Sequence, residues 1–279
     1  MRVADLPVGG YIVMSLTIAR RSFIMGASAV VASGLGSSAA KEAEEVGARL
    51  DTRKDGAPLS FDDPMFAEVK IRNSPIRLSK GLSLVETSID LPRDDRTIVC
   101  LGDNSLRRCR VKSREAVRIA GGGTFTIDGC WLEAIGIGND HADCVQCYSP
   151  GDIGKLHIKN TTIRAYRTSD VTPPQIGSQG LFVADNWTGT VICDNVVFWG
   201  AGNYACHIFP DTGGDVHIDF HNVFFVGPFQ YGPYNIHGAG GHRIVVDRWD
   251  GVRNATITDG RIVGGSPIAA PKENGRRGK

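Results

Sequence analysis

A six-residue phrase returns through the second half of the chain: apolar, any residue, Asn, Asp or Gly, two further residues, apolar. Its copies are Ile127-Asp128-Gly129-Cys130-Trp131-Leu132, Ile158-Lys159-Asn160-Thr161-Thr162-Ile163, Ile192-Cys193-Asp194-Asn195-Val196-Val197 and Ile257-Thr258-Asp259-Gly260-Arg261-Ile262, with a looser one at Ile218-Asp219-Phe220-His221-Asn222-Val223. Their first residues lie 31, 34, 26 and 39 positions apart. A fixed phrase at irregular intervals is what stacked coils of parallel strand produce, because each coil keeps its strands and corner while insertions leave from the loops. Asn, Asp and Gly tolerate the left-handed backbone of a tight corner. The apolar first and sixth positions then point inward on the two strands that meet there. Such a stack presents a long exposed groove, which suits a chain-like ligand.

The rest of the pattern agrees. The 279 residues include 35 glycines, with Val, Ile and Thr frequent between them, which favours many short strands over a helical bundle. Second strand-like runs follow the phrases: Asp143–Gln146, Gln179–Val183, Tyr204–Ile208 and Tyr234–His237. Strand residues alternate between faces. Placing Val145, Leu181 and Ile236 inward turns Gln146, Phe182 and His237 outward, with a residue near His207 between them. Four earlier runs, Ala67–Ile71, Leu82–Val85, Thr97–Leu101 and Ala116–Ile119, read as the first coils or an N-terminal cap. Gly121-Gly122-Gly123 precedes strand rather than helix and is a turn, not a phosphate loop.

This ladder, together with Asp140-His141-Ala142-Asp143-Cys144-Val145-Gln146, resembles the pectate-lyase-like superfamily over roughly residues 67–265. The second segment is similar to an H-x-D-x-x-Q phrase of many exported proteins in that group. The resemblance implies an all-β fold, a right-handed parallel β-helix. The hallmark clusters of pectate lyases and polygalacturonases are not evident, so no substrate comes with it.

The N-terminus reads as a targeting segment. Ala19-Arg20-Arg21-Ser22-Phe23-Ile24-Met25, an apolar run to Leu35 and then Ser38-Ala39-Ala40 look like a twin-arginine export signal cleaved after Ala40. An ordinary secretory signal is the main rival, and Met14 is an alternative start. The expected organisation is a signal at 1–40, a linker and lead-in at 41–66 with a short helix near Lys41–Leu50, a β-helix domain at 67–265 and a disordered basic tail at 266–279. Export places the chain in the periplasm or outside a bacterial cell, without stable membrane insertion. A net charge of +1 offers no global attraction for nucleic acid. Oligomeric state is open. Of seven cysteines, Cys100 and Cys109 are the pair to check for a disulfide. Cys144 and Cys147, on a strand, should face opposite ways.

The polar constellation at 140–146 is the first candidate site. His141 is placed to act as general base or acid, Asp143 to orient a histidine or bind a cation such as calcium, and Gln146 to bond sugar hydroxyls. Elimination beside a uronate carboxylate needs a base and a positive neutraliser. His141 or His237 would be the base, and Arg164, Arg167 or Arg243 the neutraliser. Hydrolysis needs two carboxylates, from Asp143, Asp185 and Asp211. Gln179, Phe182, His207, Tyr231 and Tyr234 are candidates for substrate binding. Phe224, Phe225, Phe229, Trp187 and Trp199 add possible stacking surface, although Phe224 and Phe225 face opposite ways and one should be core. The leading expectation is an exported lyase of an acidic polysaccharide. A glycoside hydrolase and a non-catalytic carbohydrate-binding or assembly module are the rivals.

Overall fold

The corners organise the molecule. In a computed structural model that describes residues 58–92, 96–136, 142–147, 152–166, 179–184, 186–200, 202–211 and 213–272, one residue per coil has positive φ at the same place. These are Glu86, Arg108, Gly129, Asn160, Asn195, Asn222 and Gly251, with φ between 47° and 63°. The residues just before them are in parallel register: Val85, Arg107, Asp128, Lys159, Asp194, His221 and Asp250. Seven coils therefore stack on one corner. Strands before and after it belong to a 13-stranded sheet, and a separate seven-stranded sheet closes the third side of each coil. The protein is an all-β parallel β-helix.

Three devices hold the corner. Asparagine side chains form a ladder: Asn160 Nδ2 donates to Asp128 Oδ1 at 3.1 Å, Asn195 Nδ2 to Asn160 Oδ1 at 3.3 Å, and Asn222 Nδ2 to Asn195 Oδ1. The next residue turns inward and is buried in every coil: Thr87, Cys109, Cys130, Thr161, Val196, Val223 and Val252. Where that residue carries a hydroxyl or thiol, it donates to the carbonyl two residues back, as Thr161 Oγ1 does to Lys159 O at 2.8 Å and Thr87 Oγ1 to Val85 O at 2.9 Å. It also receives an amide from the coil below. Cys109 N–H donates to Cys130 Sγ at 3.4 Å, and Cys130 N–H to Thr161 Oγ1 at 3.2 Å. Backbone groups that a sharp bend would strand in the interior are satisfied in this way.

The core is a set of inward columns. One runs Leu106, Ile127, Ile158, Cys193 and Phe220 before the corner. Another runs Ile89, Val111, Leu132, Ile163, Phe198 and Phe225 after it, and all are buried. Phe198 and Phe225 stack at 5.3 Å. Trp187 is fully buried and donates through Nε1 to Gly121 O at 3.1 Å. Its ring fits because Gly154 has no side chain, since a Cβ there would lie 2.7 Å from it. Phe225 is core, and Phe224 packs outside with Val197 and Val226.

Several expectations are corrected. The phrase at 257–262 is not a coil corner. Arg253–Thr258 and Arg261–Pro267 pair antiparallel, with Thr258 opposite Arg261. Asp259 and Gly260, at φ 51° and 73°, make the two-residue turn of a hairpin whose twist demands positive φ at both places. Two other copies were displaced. Ile158 is in register with Cys193 rather than Ile192, and Cys193 with Phe220 rather than Ile218. The corners are accordingly Asn195 and Asn222. Residues 266–272 are no loose tail. Ile268 N–H donates to Val252 O, Trp249 Nε1 to Ile268 O and Tyr234 Oη to Ala269 O, at 3.0, 2.8 and 2.8 Å. This segment covers the last coil, where Trp249 stacks on Phe220 at 5.1 Å. The lead-in at 58–66 packs Leu59 and Phe66 against Trp131. All seven cysteines are free and buried, so Cys100 and Cys109 are not bridged. Cys144 and Cys147 are both interior. Residues 1–57 and 273–279, with the signal, the short helix and the end of the basic tail, lie outside the described residues.

Candidate functional site

Each strand of the seven-stranded sheet sends its flanking residues inward and its middle residue outward. The inward columns include Val145, Leu181 and Cys206, and Cys147, Val183 and Ile208, all buried. The outward column, in parallel register, is Arg77, Val99, Arg118, Gln146, Phe182, His207 and Asn235. The expected column therefore contains Gln146, Phe182 and His207, but its top is Asn235 rather than His237. From Gln146 to Asn235 is three strand steps, about 14 Å.

The upper half is lined with rings. His207 lies 5.2 Å from Phe182 and 6.1 Å from both Tyr204 and Phe209, centroid to centroid. Tyr204 also meets Tyr231 at 5.5 Å, and Phe209 meets His237 at 4.8 Å. Tyr231 is exposed, and Phe182, Tyr204, His207 and His237 are half-buried. Burial, helped by the nearby His237, pushes the His207 imidazole down to about 4. It is therefore neutral at pH 7, with Asn235 Nδ2 3.5 Å from its Nδ1. The lower half is polar. Arg118 makes a bidentate pair with Glu115 and donates from Nη2 to Gln146 Oε1 at 2.9 Å.

The other candidates are dispersed. Asp143 is buried and accepts the Gln179 amide at 3.1 Å through Oδ1, so both sit beneath the surface. Arg243 lies on the loop before Ile244–Asp250 and makes a two-pronged contact with Asp215, with Nη2 to Oδ2 at 2.7 Å, which holds the Asp215 carboxyl below its usual range. Arg164 is on the other sheet, over Trp199 at 4.6 Å and near Trp131 at 5.9 Å. Tyr234 faces the core end against Trp249 at 5.6 Å, and burial raises its hydroxyl pKa. Asp211 Oδ1 accepts the Asn186 amide at 3.3 Å. Asp140, His141, Arg167 and Asp185 lie outside the described residues. The described His, Cys, Asp and Glu side chains form no group of three placed to hold a metal. A depression of about 160 Å³ lined by Gly202, Tyr204 and Phe229 is smaller than the several hundred Å³ of ordinary ligand pockets. The site is a surface rather than a cavity.

One polar cluster escaped the sequence reading. Before the corner, on the outer face, His157 Nε2 lies 3.1 Å from Asp194 Oδ2, and Arg248 bridges Asp194 and Asp219. His217 pairs with Asp247 and His221 with Asp250. Its signal was present: the residue before each corner alternates in sign through Arg107, Asp128, Lys159 and Asp194. These pairs are part-exposed and close on one another, which fits a charged outer face.

Comparison with known families, curated proteins and solved structures finds no match to this chain. Among the described residues, no helix is long and apolar enough to cross a membrane.

Proposed function

We propose that this is an exported polysaccharide-active protein, of the pectate-lyase-like type, that lays a sugar chain along the outward column of the seven-stranded sheet. The observation that carries this reading is the register of Gln146, Phe182, His207 and Asn235 on successive strands, flanked by Tyr204, Phe209, Tyr231 and His237. Aromatic faces stack on the apolar faces of sugar rings, while amide and imidazole groups bond their hydroxyls. Repetition at about 4.8 Å suits a polymer better than a single small molecule.

The chemistry is β-elimination on an acidic chain. His207 is neutral above about pH 4 and able to accept a proton, with His237 as the second imidazole. A uronate carboxylate arriving nearby would raise the proton affinity of His207, because an opposite charge favours the imidazolium. The neutraliser would come from outside the column, for instance a calcium ion carried with the substrate, since Arg118 and Arg243 are engaged by Glu115 and Asp215. Those closed pairs also favour a second reading, a non-catalytic carbohydrate-binding or assembly module on the same face.

The test incubates the full chain with acidic and neutral polysaccharides, with and without calcium. Ultraviolet absorbance for a new double bond is followed alongside reducing ends. Both signals rising together, and both lost in His207→Ala, is the expected result. Reducing ends alone would mean hydrolysis. Binding without either signal would establish the module, and no binding by any polymer would remove the carbohydrate reading.

A further inference from the structure

The lower half of the column has a polarity of its own. Arg118 carries only hydrogen-bond donors. Its Nη2 lies 2.9 Å from the Gln146 side chain, so the end of the amide that faces it must be the carbonyl oxygen. Which way an amide points is often ambiguous; a donor-only neighbour removes the ambiguity here. Glu115 holds Arg118 through its Nε and Nη2 nitrogens, and the side chains are only 5% and 14% exposed. This relay leaves the Gln146 Nε2 end, with two N–H groups, directed away from Arg118. No protein acceptor meets it among the described residues, and it is not one of the buried atoms left without a partner, so this end of the largely buried side chain is the part that reaches the surface. A donor held in a fixed direction at the surface can exchange water for a ligand acceptor without first being reoriented.

On the next strand, in register, stands Phe182. The residues that carry the donor and the apolar ring are thus one strand step, about 4.8 Å of backbone spacing, apart. Because Glu115 neutralises Arg118, the local charge is balanced and offers an anion no special advantage. The group that fits is uncharged, with an acceptor oxygen at one end and a methyl-sized apolar end: the carbonyl and methyl of an acyl substituent. We infer that Gln146 and Phe182 seat an acetyl group, O- or N-linked, on a sugar of the bound chain. Gln146 is the donor, and Glu115 and Arg118 are positioning residues. The inference rests on the reading of this column as a polysaccharide site. It adds that the sugar one step below His207 is acylated.

The experiment compares affinities within pairs that differ only in acylation. Chitohexaose is set against cellohexaose, and O-acetylated alginate and homogalacturonan against alkali-deacetylated samples of the same polymers. Titration calorimetry is run on the full chain, wild type, Gln146→Glu and Gln146→Ala. Gln146→Glu keeps the size and the acceptor for Arg118 but removes the donor, so a folded protein is retained. Wild type should prefer the acylated partner on the order of tenfold in at least one pair, the scale of one hydrogen bond. Both variants should lose that preference, so that the ratio of the two affinities within the pair falls to about one. Equal binding within every pair, or a preference that survives in Gln146→Glu, overturns the acyl seat and leaves the polysaccharide reading standing. No binding of any sample, acylated or not, overturns both.

Discussion

The first three coils and the last four solve the same corner differently. From Leu84 to Leu106 is 22 residues and from Leu106 to Ile127 is 21, whereas the later steps from Ile127 to Ile158, Cys193, Phe220 and Trp249 are 31, 35, 27 and 29. The early coils have little beyond three short strands. Their left-handed positions are occupied by Glu86, Arg108 and Gly129, the first two being side chains that disfavour that conformation. The later coils use Asn160, Asn195, Asn222 and Gly251. The rings around His207, on Tyr204–Ile208 and the loops after it, belong to the long coils. About 21 residues are thus enough for the scaffold, and the long coils are the ones that carry the cluster of rings, as expected when a repeat supplies rigidity and its longer members supply surface.

That division is most severely tested in the core of the long coils. Trp187→Ala should lower stability by about 3–5 kcal/mol, because it opens a cavity between Gly154 and the Gly121 carbonyl that the stacked coils cannot close. Thermal melting followed by circular dichroism would show the loss. A shift of only a degree or two would mean that the long coils are less tightly packed than described. A smaller effect of opposite sign in the two regions is expected at the corners. Asn160→Ala should cost about 1–2 kcal/mol, combining left-handed strain with loss of the ladder. Arg108→Gly should be neutral or stabilising by a few tenths, since glycine accepts φ 49° freely and the lost Arg108–Glu86 pair is part-exposed, with its carboxylate at the surface. Equal destabilisation at the two sites would erase the difference between early and late corners.

Much of this was legible in the residues. The corner phrase, the alternation of Val145-Gln146-Cys147 and of Leu181-Phe182-Val183, and the early runs at 82–85, 97–101 and 116–119 all lead to stacked parallel coils. Three things were not legible. The phrase cannot tell a coil corner from a hairpin, since Asp259-Gly260 meets both demands for positive φ; only the partner strand decides. Its register slipped by one at Ile192 because Cys193, as a small buried hydrophobe, does not announce itself as the inward residue. The site was found in part. Gln146, Phe182 and His207 follow from period-two alternation, but Asn235 needed the pairing with His207, and the Glu115–Arg118 relay joins residues 28 and 31 positions before Gln146.

A middling effect is expected at His207. Its pKa is lowered from 6.5 to about 4 by burial and by His237. Between those values the unfolded chain binds a proton that the folded chain does not, so stability rises with pH there. It is complete above about pH 6.5 and falls as pH drops toward 4, by an amount on the order of 1–2 kcal/mol once screening of a part-exposed ring is allowed for. Urea midpoints measured from pH 4 to 7 should fall toward the acid end in wild type and flatten over that window in His207→Gln. An unchanged slope would place His207 in water and would remove the enclosed aromatic site from the long coils.

The smallest effect is expected at Arg243, which the sequence offered as a neutraliser of substrate charge. Its guanidinium is fixed on Asp215, and the pair lies at the surface with Arg243 exposed and Asp215 half-buried. Asp215→Asn should therefore change stability by no more than about 0.5 kcal/mol, the usual scale of an exposed pair. Releasing Arg243 could alter recognition only if the loop before Ile244 can bring it to the column. If Asp215→Asn leaves affinity for an acidic polysaccharide unchanged at low and high salt, Arg243 belongs to the frame of its own loop and not to the site. A salt-sensitive gain in affinity would make the Asp215 pair a latch that withholds a cation from the substrate. The functional surface of the long coils would then extend beyond the strand-borne column into the loop at their far end.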